Sequence, residues 1–484
     1  MATAVLDQAA LAAIRGRFEG EVLEDGDAGY DEARKLFNAM IDRKPRLILR
    51  CAGTEDVVAT VMLARDTGLP LAIKGGGHGV SGHAMCDDGI VLDLSLMNAI
   101  TVDPHARTAI AEGGVLWGEF DAATQAHALA TTGGRITTTG IAGLTLGTGS
   151  GWLERLYGYT ADNLISADVV TAEGRLVHAS EDENADLFWG LRGGGGNFGV
   201  VVNFEYRLYE VGPTVVGGML LWPFERAGDV IRRYRDFIAD APDEVSGAAA
   251  IVTAPPAPFV PPELQGRNVV GVVGIALTDP ERGEEMLRPM REFGPPVVDI
   301  VGPMPYTAVQ QLLDPGNPPG LYNYWKAELT QELSDELIDL SVAHGARKAA
   351  APSHSIMLFQ PLGGQIARIP DDSNAITARQ AAWACHCIGE WETPEETEAE
   401  LAWVKAWGPM IEPFKLPGVP MTFSADTGDE RVRSTYGDEK YARLVALKDK
   451  YDPENLFRLN QNIKPSGASV APHLPPGEAR LRPS

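Results

Sequence analysis

Long apolar runs, basic clusters and cysteine are all scarce in these 484 residues. No stretch of about 18 consecutive apolar residues occurs, the length a membrane-spanning helix needs, and no membrane partner is expected. Lys and Arg total 41 against 66 Asp and Glu, a formal net charge of -25, and no Lys/Arg-rich run interrupts that excess. A polyanion meets repulsion over most of such a surface, which argues against nucleic acid as a partner. The four cysteines, Cys51, Cys86, Cys385 and Cys387, are too few and too scattered for a disulfide framework in a chain of this size. Met1 to Arg17 carries Asp7 and lacks a basic segment ahead of a long apolar one, so no secretory signal is read and a reducing, cytoplasmic location is the expectation. Also missing are the Walker lysine pattern and a Gly-x-Gly-x-x-Gly that opens a long helix after a strand. That disfavours a nucleotide triphosphatase and a simple Rossmann enzyme. No internal repeat is present.

What the chain has in excess is glycine, 53 residues against an average share of about 7%. The length suggests two or three cooperating domains able to bury a large cofactor. Thr54 to Thr67 has helical apolar spacing, with Thr54 as N-cap and Gly68 as stop. Leu69 to Lys74 reads as a strand that runs into Gly75-Gly76-Gly77-His78-Gly79-Val80-Ser81-Gly82. Glycines there let backbone N–H groups approach a ligand, and phosphate is the natural guest. Strands follow at Gly89 to Leu94 and Thr108 to Glu112. Two further clusters span Gly133 to Gly151 and Arg192 to Gly199. Between them Asp168 to Val177 reads as a hairpin turning near Glu173-Gly174. One such cluster is more often a turn than a cradle; three within a domain-sized stretch favour the cradle.

From Pro213 the texture changes to apolar strands such as Val269 to Ala276 and helical stretches such as Ala227 to Ile238 and Ser334 to Ala349. Ala254 to Pro262 is proline-rich and reads as a loop. Arg443 to Lys450 is helical in pattern and leads into Tyr451 to Ile463. The division expected is 1–212, 213–422, 423–465 and a loose tail at 466–484.

Four motifs in fixed order then carry a resemblance: Gly75-Gly76-Gly77-His78, Ile141-Ala142-Gly143-Leu144-Thr145-Leu146-Gly147, Leu191 to Gly199, and Tyr451 to Ile463. Over Pro45 to Pro465 the chain resembles the berberine bridge enzyme-like branch of the vanillyl-alcohol oxidase family. The resemblance implies an α+β fold, with a two-part PCMH-type FAD-binding domain made of 1–212 and 423–465. It also implies a substrate domain at 213–422 whose antiparallel sheet, flanked by helices, roofs the flavin. It implies covalent FAD through His78, although an isolated histidine in a glycine loop also caps turns. Many relatives add a cysteinyl link; the matching position here is Ile136, so none is expected. The pyrophosphate is assigned to Gly75, Gly76, Gly77, Gly79, Ser81 and Gly82. Further cofactor contacts fall on Thr139, Gly140, Gly143, Val200 and Val202. Asn460 and Asn462 are assigned to the pyrimidine edge, or to turn capping. Near Pro420-Met421-Thr422-Phe423 the chain departs from relatives, which frequently carry a tyrosine and an asparagine there.

For proton removal the resemblance offers Tyr436, which a structural role also explains. Tyr322, Tyr324, Lys326 and Glu328 share one strand face that is either a polar wall or solvated. His386 is a candidate base with a suitable ordinary pKa. Alternation in Trp383 to Ile388 sends His386 away from Cys385 and Cys387, and no second ligand pair is present, so no metal is expected. Tyr436 is preferred over His386, with Lys326 next. The implied activity is hydride transfer from an alcohol, hemiacetal, amine or activated C–H of a small metabolite to FAD, with molecular oxygen as acceptor. A dehydrogenase with another acceptor and a flavin protein that sequesters a ligand without turnover are the alternatives. Oligomeric state is not legible.

Overall fold

The computed structural model describes residues 8–348, 353–418 and 428–467. The departure at Pro420 to Phe423, the division at 422 and residues 468–484 of the expected tail lie outside them.

Continuous apolar stretches build the first sheet, a pattern that suits strands covered on both faces. Leu47–Arg50 and Leu71–Lys74 each pair in parallel with Ile90–Asp93, and Glu21–Leu23 closes the edge. The helix Thr54–Thr67 buries Val57, Val61 and Ala64, spaced one turn apart. It is capped by Gly53 rather than Thr54, and ends where Gly68 turns to φ 67. A second, five-stranded antiparallel sheet has the order Ile100–Asp103, Thr108–Glu112, Val200–Arg207, Leu164–Val170, Leu176–Ser180. Its hairpin turns at Thr171 to Arg175, where Gly174 adopts φ 73.

The largest sheet has eight strands, and its pairings are antiparallel. Its order is Val298–Asp299, Thr214–Pro223, Asn268–Ala276, Val245–Thr253, Ile356–Pro361, Trp383–Trp391, Tyr322–Thr330, with Gly302–Pro305 also on Thr214–Pro223. Strand alternation gives this sheet two apolar faces. One packs Leu220, Trp222, Ala249, Ile251, Met357, Phe359, Cys385 and Cys387 against helices that include Ala227–Asp240, Pro280–Arg291, Asp335–Gly345 and Thr397–Ile411. Each large aliphatic side chain removed from water there contributes about 1.5–3 kcal/mol. The opposite face carries Met219, Leu221, Ala248, Ala250, Val252, Leu358 and Ile388, which line a cavity instead of a helix layer.

The helix Asp429–Tyr451 bends at Gly437 (φ 69) and sends Val432, Leu444 and Leu447 into the core beneath the five-stranded sheet. Lys448 anchors it: its buried ammonium donates to Asn197 O at 2.8 Å and Phe457 O at 2.9 Å and pairs with Asp452 at 2.7 Å. A buried charge left without such partners is strongly destabilising.

Candidate active site

Three glycine loops and the segment after Tyr451 converge on one cavity of about 530 Å³, roofed by the large sheet. Glycine is required at the seam between two loops. A Cβ on Gly76 would lie 2.4 Å from Gly140 N, and one on Gly140 would lie 2.3 Å from Gly76 N. At Gly79, Gly143 and Gly196, which also line the cavity, an added Cβ meets no protein atom within 4 Å. These three leave bare backbone toward the lumen, the surface a diphosphate or a flat ring requires.

His78 stands at the cavity edge, stacked on Phe37 with ring centroids 3.7 Å apart, its Nε2 3.2 Å from Thr138 Oγ1. Burial pushes its imidazole down to about 4, so it is neutral at pH 7. Asn38 ties this loop to the sheet: its Nδ2 donates to Val80 O at 2.8 Å and Asn323 O at 2.9 Å, and its Oδ1 accepts from Asn323 N. In the terminal segment Asn460 Nδ2 donates to Gly196 O and Phe457 O, while its buried Oδ1 has no hydrogen-bond partner among the described residues. An orphaned acceptor beside a glycine-lined trough fits the ring N–H of the FAD that the resemblance implies.

Of the site residues read from sequence, Gly75, Gly76, Gly77, His78, Gly79, Ser81, Thr139, Gly140, Gly143, Val200, Asn460, Tyr436 and His386 line this one cavity. Four do not. Gly82 sits at φ +73 with Ile41 Cδ1 2.5 Å from where its Cβ would be, so it serves packing. Val202 is in the core between the two smaller sheets. It shares that core with Val200, whereas Val200 and its neighbour Val201 also reach the cavity. Asn462 lies beyond the lining, although its buried Oδ1 also lacks a partner among the described residues. Lys326 faces the helices: it is paired across the ladder with Cys387, whereas Ala327 is opposite His386. Trp325 therefore reaches the cavity, and Glu328 pairs with Arg431 instead.

Tyr436 O–H donates to Gly193 O at 2.9 Å, and burial raises its phenol well above the ordinary value. His386 points away from Cys385 and Cys387, as alternation requires, and lines the cavity. Burial, aided by the Arg135 cation, pushes it down to about 3.

Sequence reasoning missed a polar cluster. Arg135 pairs with the buried Glu154 at 2.8 Å, sits over the Trp152 ring at 4.7 Å, and with Ser150 and Gln360 forms a hydrogen-bonded knot at the cavity wall. Glu154 and Gln360 are 206 residues apart, and no local pattern marks the pair.

Comparison with known proteins bears on the same residues. The "FAD binding domain" family matches residues 45–180, and the "Berberine and berberine like" family matches residues 413–464. The chain is 31% identical over 472 residues to (R)-6-hydroxynicotine oxidase of Paenarthrobacter nicotinovorans, covering 93% of this chain and 98% of that one. It is 30% identical over 455 residues to an FAD-linked oxidoreductase of Dictyostelium discoideum, covering 92% and 95%. The crystal structure of 6-hydroxy-D-nicotine oxidase from Arthrobacter nicotinovorans superposes with a TM-score of 0.81 at 27% identity, covering 92% of this chain and 98% of that one.

Proposed function

The chain belongs to the berberine bridge enzyme-like FAD-linked oxidoreductases, and from that premise we propose that it is an oxidase that carries FAD covalently on His78. FAD is held by 1–212 with 423–465, and a small substrate is held by 213–422. One observation carries the reading: a single cavity has bare glycine backbone and Asn460 on one side, and an apolar sheet face bearing His386 on the other. When bound, FAD supplies the acceptor for a hydride from a substrate alcohol, hemiacetal, amine or activated C–H, and passes the electrons to oxygen.

The protein's own groups supply the rest. Gly76 and Gly140 hold the two loops at backbone contact, and Phe37 fixes the plane of the His78 ring, so a tethered cofactor is presented in one orientation. His386 is assigned as proton acceptor by its position on the sheet roof of the cavity; burial keeps its imidazole neutral, and the same depression makes it a weaker base than a free imidazole. Tyr436 is a poorer base, because its O–H is committed to the Gly193 carbonyl; its role is to orient. This reverses the preference drawn from sequence, and Lys326 has no part in the chemistry. Thr139 is assigned to the oxygen-reactive side of the ring. Four free, buried thiols support a reducing, cytoplasmic setting; among the described residues no helix is long and apolar enough to cross a membrane.

Anaerobic mixing with candidate substrates, followed by air, tests the assignment. Substrate-dependent bleaching and rapid recovery in air are the expected result. Bleaching without recovery would indicate a dehydrogenase, and a ligand that binds without bleaching would indicate a sequestering protein.

A further inference from the structure

The polar knot beside the cavity is saturated in a way that fixes what it offers a substrate. Glu154 accepts four hydrogen bonds: Oε1 from Arg135 at 2.8 Å and Gln360 Nε2 at 2.7 Å, Oε2 from Ser150 Oγ at 2.5 Å and Gly151 N at 3.2 Å. Ser150 Oγ donates once, to Glu154, and accepts from Arg135 at 2.9 Å and Gln360 Nε2 at 2.8 Å. A carboxylate only accepts, so the Gln360 amide cannot be flipped, and both of its N–H groups are committed. What Gln360 retains for a molecule in the cavity is its carbonyl oxygen.

The rest of the sheet roof narrows the guest further. The side chains it turns to the cavity are Met, Leu, Ala, Val, Ile and Trp, with His386 and Gln360 the polar exceptions, and Trp325 Nε1 is already given to Asn323 Oδ1 at 2.9 Å. Among the described lining residues there is no Asp, Glu or Lys, and the one arginine, Arg135, is neutralised by Glu154. Against the described residues of the sheet roof, away from the glycine-lined wall, a carboxylate, phosphate or ammonium group would lose its hydration with no countercharge to replace it. A carbohydrate would leave most of its hydroxyls against aliphatic side chains, each without a partner.

We infer that Gln360 is the specificity-determining residue of the substrate half of the cavity, and that the substrate is an uncharged, largely apolar molecule presenting an O–H or N–H donor to Gln360 Oε1. The inference rests on the reading of the cavity as the substrate site of an FAD-linked oxidase.

Calorimetric titration of the purified flavin-loaded protein with 2-naphthol and 2-methoxynaphthalene tests it, since the two share a ring system and differ in the donor. Leaving a buried acceptor without a partner weakens binding, so the naphthol should bind at least about fivefold more tightly than the ether. In Gln360→Met, which keeps the length of the side chain and removes the acceptor, the two should come within about twofold. 2-Naphthoate and cellobiose should not bind. A wild-type ratio below that mark, a ratio that survives in Gln360→Met, no binding of either naphthalene, or binding of naphthoate or cellobiose overturns the inference. Should the variant not fold, the wild-type ratio decides alone. The visible spectrum of the same sample keeps the two readings apart: protein without flavin overturns the functional reading beneath, whereas flavin-loaded protein with equal affinities overturns this inference only.

Discussion

Replacing Gly143 by alanine should separate folding from cofactor uptake. Gly143 lies inside the helix Ile141–Leu146 and lines the cavity, and an alanine Cβ there would meet no protein atom within 4 Å. Alanine is favoured over glycine in a helix interior by about 1 kcal/mol, so the flavin-free chain should be as stable as the parent or slightly more so. If FAD fills the lumen, the same methyl group collides with it. Gly140→Ala is the contrasting case, because its Cβ would lie 2.3 Å from Gly76 N and the two loops must part. Overpacking of that kind costs about 1–3 kcal/mol, and a domain of this size loses about 2–4 °C of melting temperature per kcal/mol. The assay is visible absorbance per chain, read with the melting temperature of the flavin-free fraction. Gly143→Ala should lower flavin content at unchanged melting temperature, and Gly140→Ala should lower both. Normal flavin content in Gly143→Ala would mean that the cofactor does not occupy that side of the cavity.

The remaining predictions concern the chemistry. His386→Ala should slow anaerobic flavin reduction by about 100-fold at near-normal flavin content, the lower end of what a positioned base contributes, because burial holds its pKa far below the working pH. Tyr436→Phe should slow it by less than about tenfold, because its proton is already given to Gly193 O; the reverse order would restore Tyr436 as the base. With His386 held down to about 3 and the Tyr436 phenol held up by burial, neither group changes charge between about pH 5 and 9. The rate of reduction should therefore be flat between about pH 5 and 9, and a limb near the ordinary histidine value of about 6.5 in stopped-flow traces would refute the assignment of a buried neutral base. Thr139→Leu should slow reoxidation in air while leaving reduction unchanged; equal rates in both half-reactions would move Thr139 away from the oxygen side.

Much of the glycine-lined wall of the cavity was legible because its glycines answer local demands. Close backbone approach at Gly76 and Gly140 permits no side chain, and a strand running into Gly75-Gly76-Gly77 reports that locally. Gly82 shows the limit, since the same residue type there makes room for Ile41, which only the folded chain reveals. On the eight-stranded sheet, alternation correctly sorted residues into two faces but did not say which face looked toward the cavity. The ladder that sets Ala327 against His386 decides that, and it turns Lys326 toward the helices. Val202 shares a buried face with Val200 but packs only in the core, and alternation does not say how far along a strand the cavity reaches. Gln360 sits in an apolar strand and acquires its meaning from Glu154 on a distant helix, a non-local relation that periodicity does not encode.

The tether at His78 is the claim on which the account turns, and denaturation of the purified protein measures it most directly. The yellow colour should stay with the unfolded chain, the intact mass should exceed that of the polypeptide by one FAD, and His78→Ala should release its flavin on unfolding. Colour set free from the unaltered protein, or flavin that remains bound to the denatured His78→Ala chain, would contradict it.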